Sequence, residues 1–419
     1  MKAESVRILF VNHTGAASGA EFALMRLVEG LRDDHGVAVA CPSEGPLAEL
    51  VDAAGAQRFD IPAFEASLRL HPVHTPVGLA KLGAASAVLA RLTRRFRPDL
   101  LHANTPRAGL MAVLSRRLDG PPLVVRAHEA LPPTGVGEMV RSVLARSASA
   151  VVTVSRDTAR RFNDGLDRPL ARHVYNSFDR RRFDRNSVPP GAIREELGVR
   201  PGAPLLGQVA QITPWKGQDT SIRALARLRD SGLDAHLLLV GKVAFGGKAV
   251  RYDNHAFLQH LHELVGELGL DDAVHILGER RDVPEILRAL DLSLLPSWDE
   301  PFANVMLESM AMGTPLLVSE IGGGPELVED GINGRLLPPK RPDLWEAAAR
   351  ELLADRAALG RMGDRAYEAT ARFSDEAHVR DMLAVYARVL GRPVQGARAR
   401  SSRFVRAAGA PREAIVEPS

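Results

Sequence analysis

The 419-residue chain has one cysteine, Cys41. That excludes an internal disulfide framework and any cysteine-built zinc cluster, and it points to a reducing compartment, with Cys41 as a small buried hydrophobe. No stretch approaches the roughly 18 to 20 consecutive apolar residues that cross a bilayer. The apolar run in MKAESVRILFVNHTG stops at Asn12, too short for the core of a cleaved leader, and reads as a first strand. No Asp-x-Asp triplet occurs, so nothing in the pattern calls for a divalent ion clamping a diphosphate. The dinucleotide fingerprint GxGxxG is also missing, which disfavours a nicotinamide dehydrogenase.

What is present is an ordinary globular composition, 45% hydrophobic and 25% charged, over a length beyond that at which single cores stop growing. Two domains are therefore expected. The net charge of +3 hides an uneven distribution. Residues 1–190 hold 26 Lys and Arg against 19 Asp and Glu, whereas residues 191–390 hold 22 against 30. RLTRRFRP and FDRRRFDR concentrate the excess. Such runs suit an anionic partner or a membrane surface, and equally a solvated arginine-rich face.

Short β-branched runs alternate with amphipathic stretches, the pattern of parallel α/β sheets covered on both faces. Strands are predicted at 7–12, 37–42, 100–104, 122–128 and 150–155. A second series follows at 204–210, 235–241, 273–278, 290–297 and 314–319. Between them RNSVPPGAIREELGVRPGAP is rich in Pro and Gly and reads as a linker. The expected division is 1–190 and 191–370, then a helix over 371–390 packing back towards the first domain, and a basic, disordered tail over 391–419.

In open α/β sheets ligands sit beyond the carboxyl ends of strands, so residues just after strands carry the information. HTGAASGAEF places Gly15 and Gly19 between a strand and a helix, where free N–H groups suit an anion and where a tight turn is the plainer reading. RAHE ends a strand at His128. TPWKGQD puts Lys216 beside Gly217 at a helix start, fit for a diphosphate as a point charge; a surface lysine remains open. EPFANVMLESMAMGTP holds Glu300 in a loop and Glu308 about a turn into the next helix, predicted to begin near Asn304. Two carboxylates would repel a diphosphate, so they suit sugar and ribose hydroxyls. The free N–H groups of 302–304 suit phosphate.

The run LDLSLLPSWDEPFANVMLESMAMGTPLLVSEIGGGPELVEDGINGRLLPP resembles the retaining GT-B glycosyltransferases of family 4, whose mark is two glutamates separated by seven residues. SGAE, RAHE, VYNSFDRRRF, TPWKGQD and ILGERRDVPEIL fall in that family's order, and the resemblance reaches to about residue 390. It implies two doubly wound Rossmann-like domains facing a deep cleft. It further implies Glu308 on ribose, Glu300 on the donor hexose, and Lys216 on the diphosphate. The backbone of Phe302, Ala303 and Asn304 would line sugar and phosphate, and the backbone at Arg280 and Val283 would meet the base. His128 would stand beside the sugar and Gly19 near the phosphates. The chain departs from the family at Ala210 and Gln211, where Gly-Arg is usual, at Glu129 for Asp, and at Ser18 for Gly. Gln211 can hydrogen-bond phosphate but brings no charge.

The expectation is thus a cytoplasmic, metal-independent, retaining transferase moving a hexose from a UDP- or GDP-sugar to a small-molecule or glycan hydroxyl. Its catalytic groups would be His128, Lys216 and Glu300, and its partners would include no nucleic acid. The alternatives are a transferase resting weakly on the inner membrane face with a lipid-linked acceptor, an epimerase or hydrolase of the same fold, and a non-catalytic nucleotide-sugar-binding module. Residues 64–97, apolar and ending in four arginines, carry the membrane alternative, although the segment has no Trp or Tyr.

Overall fold

The computed structural model describes residues 4–64, 74–116, 120–132, 135–243 and 252–396. Its strands are β1 (Arg7–Val11), β2 (Gly36–Cys41), β3 (Gln57–Asp60), β4 (Leu100–Ala103), β5 (Leu123–Ala127), β6 (Ala150–Thr153) and β7 (Ala171–His173), then β8 (Leu205–Val209), β9 (His236–Val240), β10 (Val274–Gly278), β11 (Leu292–Leu295), β12 (Leu316–Ser319) and β13 (Gly334–Leu337). The helices of the first half are α1 (Gly19–Leu31), α2 (Pro46–Ala53), α3 (His74–Phe96), α4 (Pro106–Ser115), α5 (Gly135–Ser147) and α6 (Arg156–Asn163). The second half has α7 (Ile193–Glu196), α8 (Gln218–Asp230), α9 (Asn254–Glu267), α10 (Val283–Ala289), α11 (Asn304–Ala311), α12 (Gly324–Leu327), α13 (Pro342–Ala354), α14 (Arg356–Ala369) and α15 (Asp375–Leu390).

Two parallel sheets result, ordered β3-β2-β1-β4-β5-β6-β7 and β10-β9-β8-β11-β12-β13. Each reverses direction beside its first strand, which opens a crevice there at the carboxyl ends. Strands buried on both faces explain the continuous apolar runs that the sequence shows, such as β1 and β9. Three strands were absent from the sequence reading. QRFD (β3), ARH (β7) and GRLL (β13) are short edge strands, and edges with one neighbour need little apolar patterning.

The segment read as a linker is more ordered than expected. Arg194, on α7, bonds the Ala203 and Ala289 carbonyls and pairs with Asp291 at 2.6 Å. Part of the FDRRRFDR run is consumed internally, while Arg180 and Arg181 stay exposed. Arg182 donates to the Arg281 carbonyl at 3.0 Å, and Arg185 pairs with Asp364 at 2.7 Å while lying over the Tyr367 ring. Residues 65–73 of the proposed membrane segment and 397–419 of the tail lie outside the described residues.

The last helix closes the structure. α15 packs along α1, where Gly30 leaves room for Val379: a methyl on Gly30 would lie 2.5 Å from the Val379 Cγ2. Its inner face buries Val379, Met382, Leu383 and Tyr386 among the strands of the first sheet. Tyr386 meets His102 of β4, hydroxyl to Nδ1, at 2.6 Å, with both side chains fully enclosed.

A second tie joins the two sheets directly. Glu326 on α12 accepts from the Arg156 and Asp157 N–H groups, each at 2.9 Å, and from the Tyr175 hydroxyl at 2.9 Å. A carboxylate of the second half thus satisfies free donors in the first turn of α6, where the helix dipole favours negative charge. Burial and this carboxylate push the Tyr175 hydroxyl up to about 12.

Two outcomes follow. Tyr386→Phe removes a buried bond and strands the His102 Nδ1, so the urea midpoint should fall by the equivalent of about 1–3 kcal/mol. An unchanged midpoint would show that the bond contributes nothing. Glu326→Ala unties the second half from α6, and small-angle scattering should show a larger radius of gyration; an unaltered profile would assign the closed arrangement to α15 alone.

Candidate active site

The N-termini of α1 and α11 approach each other from opposite halves. The Asn304 Nδ2 lies 3.5 Å from the Gly19 carbonyl, and a Cβ on Gly19 would stand 3.0 Å from that nitrogen. A larger residue at 19 would therefore press on the first residue of α11. Asn304 is held from the other side by Asn176, Nδ2 to Oδ1 at 3.1 Å. Asn176 in turn accepts from Arg126 at 2.8 Å.

Arg126 is buried and bonded to the Val174 carbonyl, His378 and Met382. Burial brings its guanidinium down to about 10. The free N–H groups at both helix starts and this charge one residue behind them make an anion-attracting locus.

Lys216 and Glu300 lie together rather than apart. The sequence assigns them to diphosphate and hexose respectively, but here the Lys216 Nζ donates to Glu300 Oε2 at 2.5 Å, with both residues buried. Ser297 adds a bond to the same oxygen at 3.1 Å, and the ammonium lies 4.0 Å over the Trp215 ring. Two backbone devices fix the pair. Gly217, at φ +70°, allows the turn after Lys216, and any side chain there would strike the Pro296 carbonyl. Gly322, at φ +55°, lies against the Glu300 carbonyl with no room for a Cβ. The Glu300 carbonyl accepts from the Gly323 N–H at 3.0 Å.

Glu308 occupies the second turn of α11, half-buried and with no hydrogen bond from a described side chain. Burial pushes its carboxyl up to about 7, although the charges of Arg26 and Arg182 pull the other way and Asp179 adds to the rise. Arg26, itself buried on α1, bonds Ser177 through its carbonyl at 2.7 Å and its hydroxyl at 3.2 Å, and lies 3.7 Å from Asp375. Arg182 reaches the Arg281 carbonyl, which places the loop before α10 near the Glu308 environment.

Val283 opens α10 and packs against the second-half core. The Arg280 side chain is taken up by Glu196 and Asp282, which leaves only its backbone free to meet a ligand. Phe302 and Ala303 are buried, and Phe302 stacks on Tyr175 at 5.5 Å. Gln211, partly exposed in the loop after β8, gives its carbonyl to Gln218 at 2.7 Å.

His128 follows β5. Its Nε2 meets Asn104 Oδ1 at 3.3 Å. Burial first, then Arg126 and His102, holds the imidazole well below its ordinary range against a weaker pull from the Asn104 backbone, so the ring is neutral. Asn104 and Arg26 lie outside the motifs of the sequence, and Arg126 and Asn176 lie in RAHE and VYNSFDRRRF without a role assigned to them there. Their partners stand between 24 and 256 positions away. His13 has no role assigned either: it meets the Thr105 hydroxyl at 3.0 Å, and burial with Arg107 brings it to about 4.

With this geometry in hand, the chain can be compared with known proteins. Residues 191–369 match the family model Glycosyl transferases group 1, and residues 18–178 match the Glycosyl transferase 4-like domain. A D-inositol 3-phosphate glycosyltransferase from Nocardia farcinica is 33% identical over 302 residues, 66% of this chain and 63% of that protein. One from Saccharomonospora viridis is 32% identical over 312 residues, 69% of each. The match to the first thus spans less than two thirds of that relative. Among solved structures, Anabaena HepE in complex with UDP-glucose superposes with a TM-score of 0.78 at 25% identity, covering 91% of this chain and all of that one. Two parallel α/β sheets and these matches place the chain in the group 1 glycosyltransferases of family 4, with the GT-B fold.

Proposed function

We propose that this protein transfers a hexose from a nucleoside-diphosphate sugar to a hydroxyl of a small acceptor, with retention of anomeric configuration and without a metal ion. The observation that carries the reading is the meeting of two helix N-termini, at Gly19 and Asn304, beside the buried Lys216–Glu300 pair. Helix N-termini and an ammonium stabilise a diphosphate as negative charge grows on its leaving oxygen. In the reaction the acceptor oxygen attacks the anomeric carbon on the face the diphosphate leaves, and the departing phosphate oxygen takes the acceptor's proton. The protein contributes position and charge. When donor binds, Glu300 exchanges part of its contact with Lys216 for sugar hydroxyls, freeing the ammonium for phosphate. Glu308 accepts from the ribose.

HepE bound to UDP-glucose supports a uridine donor, and the inositol 3-phosphate relatives make that phosphorylated polyol the first acceptor to assay. Incubation with UDP- and GDP-hexoses, with and without inositol 3-phosphate and with and without chelator, tests the reading. Acceptor-dependent nucleotide release that survives chelation is expected. Release independent of acceptor would favour a hydrolase, and binding without release a non-catalytic module.

Lys216→Ala removes the ammonium that pairs with a buried Glu300 and, in the proposed reaction, a charge on the leaving group. Breaking one half of such a pair costs about 3–5 kcal/mol. Turnover should fall more than donor affinity, because the leaving charge grows in the transition state. A turnover within about twofold of the parent, less than ~0.5 kcal/mol of barrier, would remove Lys216 from the chemistry.

Glu308 yields a pH dependence. Its carboxyl is raised from 4.5 to about 7 in the free protein. A raised acid favours the folded state at low pH, so this contribution is full below 4.5 and lost as pH rises through about 7. Ribose hydroxyls donate to the charged form, so nucleotide binding should release a proton near neutrality and weaken as pH falls below about 7. Calorimetry of UDP binding in buffers of different ionisation enthalpy reads that proton, and Glu308→Gln should abolish it. Release unchanged in that variant would place the titrating group elsewhere.

A further inference from the structure

A chain of hydrogen bonds links α1 to β5, and its donors all point towards the Glu21 carboxylate. Ser18 donates to Glu21 Oε2 through its N–H at 3.1 Å and its hydroxyl at 2.6 Å. The other Glu21 oxygen faces Asn12 Nδ2 at 3.3 Å, and the same nitrogen meets the Thr14 carbonyl at 2.8 Å. A carboxylate and a carbonyl can only accept, so this end of Asn12 is its NH2 group and the opposite end its oxygen. That oxygen lies 3.0 Å from Asn104 Nδ2, which also faces the Ala20 carbonyl at 3.4 Å. Asn104 is thereby oriented twice over, and its Oδ1 must point to His128 Nε2. An amide oxygen accepts only, so Nε2 carries the proton. Asn12, Glu21 and Asn104 are all buried, so water cannot substitute freely along the chain.

We propose that Asn104 is a positioning residue that locks His128 as the Nε2–H tautomer, leaving Nδ1 as a bare lone pair that accepts a hydrogen bond from a hydroxyl of the donor sugar. The side-chain contact that the ring makes among the described residues is through Nε2. His128 lies just past the carboxyl end of β5, the edge at which ligands of such sheets sit. The groups around the ring agree. Arg126 on the same strand and His102 on β4 both oppose a positive charge there, so the ring does not donate from both nitrogens. His128 is then a reader of sugar hydroxyls and not an acid. A donor whose relevant hydroxyl is replaced by hydrogen or fluorine, neither of which donates, is discriminated against at this position. Ser18, where the family has glycine, gains a role as the anchor of Glu21 at the start of the chain.

This rests on the transferase reading, and the two can fail separately. Nitrogen-15 NMR of histidine-labelled full-length protein, with the His128 signal assigned by its loss in His128→Gln, reads the tautomer without any turnover. A pyrrole-type Nε2 and pyridine-type Nδ1 that hold from about pH 5.5 to 8 are expected. An Nδ1–H tautomer, or an imidazole that titrates across that range, overturns the proposal.

Asn104→Asp places a carboxylate against Nε2–H and should raise the imidazole into the measurable range, adding a second acidic ionisation to the kcat/KM profile beyond the one that Glu308 gives the parent. A profile superimposable on the parent's would also overturn it. In Asn104→Asp at low pH and in His128→Gln, kcat should fall on the order of tenfold, the size of one hydrogen bond, while affinity for bare UDP stays unchanged. A purely structural role for Asn104 would move both together. With a series of deoxy and fluoro donors, one sugar position should lose its penalty in His128→Gln; equal penalties in parent and variant at every position would refute the hydroxyl contact. The expected tautomer in a protein that transfers no sugar would refute the transferase reading and leave the lock standing.

Discussion

The amide of Asn304 is the point on which the site depends. It stands at the first turn of α11, touches the Gly19 carbonyl and is fixed by Asn176, which Arg126 fixes in turn. Among the described residues Arg126 has no carboxylate partner; its two terminal nitrogens meet a carbonyl, an amide, an imidazole and a thioether, while its buried Nε is left without one. A buried charge without a counter-ion is costly. Here it holds the seam between two sheets while directing positive potential to where two helices begin. Displacing the Asn304 amide would part the two N-termini and leave the Asn176 amide nitrogen without its partner.

The same logic governs the acids. Glu300 is buried and Glu308 half-buried, and the two meet different neighbours. Glu300 has an ammonium at 2.5 Å and a hydroxyl at 3.1 Å; Glu308 has only the more distant charges of Arg26 and Arg182, and burial prevails over them. One acid therefore waits as half of an ion pair and the other as a carboxyl near neutrality. Both are under-committed to the protein in a way that hydroxyl donors from a ligand can complete. His128 is the complementary case, a base kept neutral by burial and by Arg126.

Domain docking comes from surfaces far from the chemistry. α15 starts in the second half of the chain and spends its apolar face on the first sheet, with Gly30 making room for Val379 and His102 binding Tyr386. Glu326 finishes α6 from the opposite side. These contacts set the distance between Gly19 and Asn304, and so the width of the anion locus.

How much of this was legible beforehand follows from the range of each interaction. Apolar runs and turn glycines act over a few residues, so the two sheets, the start of α11 at Asn304 and the placing of Gly19, His128, Lys216, Glu300 and Glu308 after strands could be read directly. The short edge strands QRFD, ARH and GRLL could not, because an edge needs no repeating apolar pattern. Nor could the pairing of Lys216 with Glu300, 84 positions apart, or the reach of Arg126 to His378 across 252. Local periodicity sets which side chains stand at the strand ends. Which of them touch, and which charges they carry, is settled when distant segments close around one another, because burial and hydrogen-bond direction arise only then.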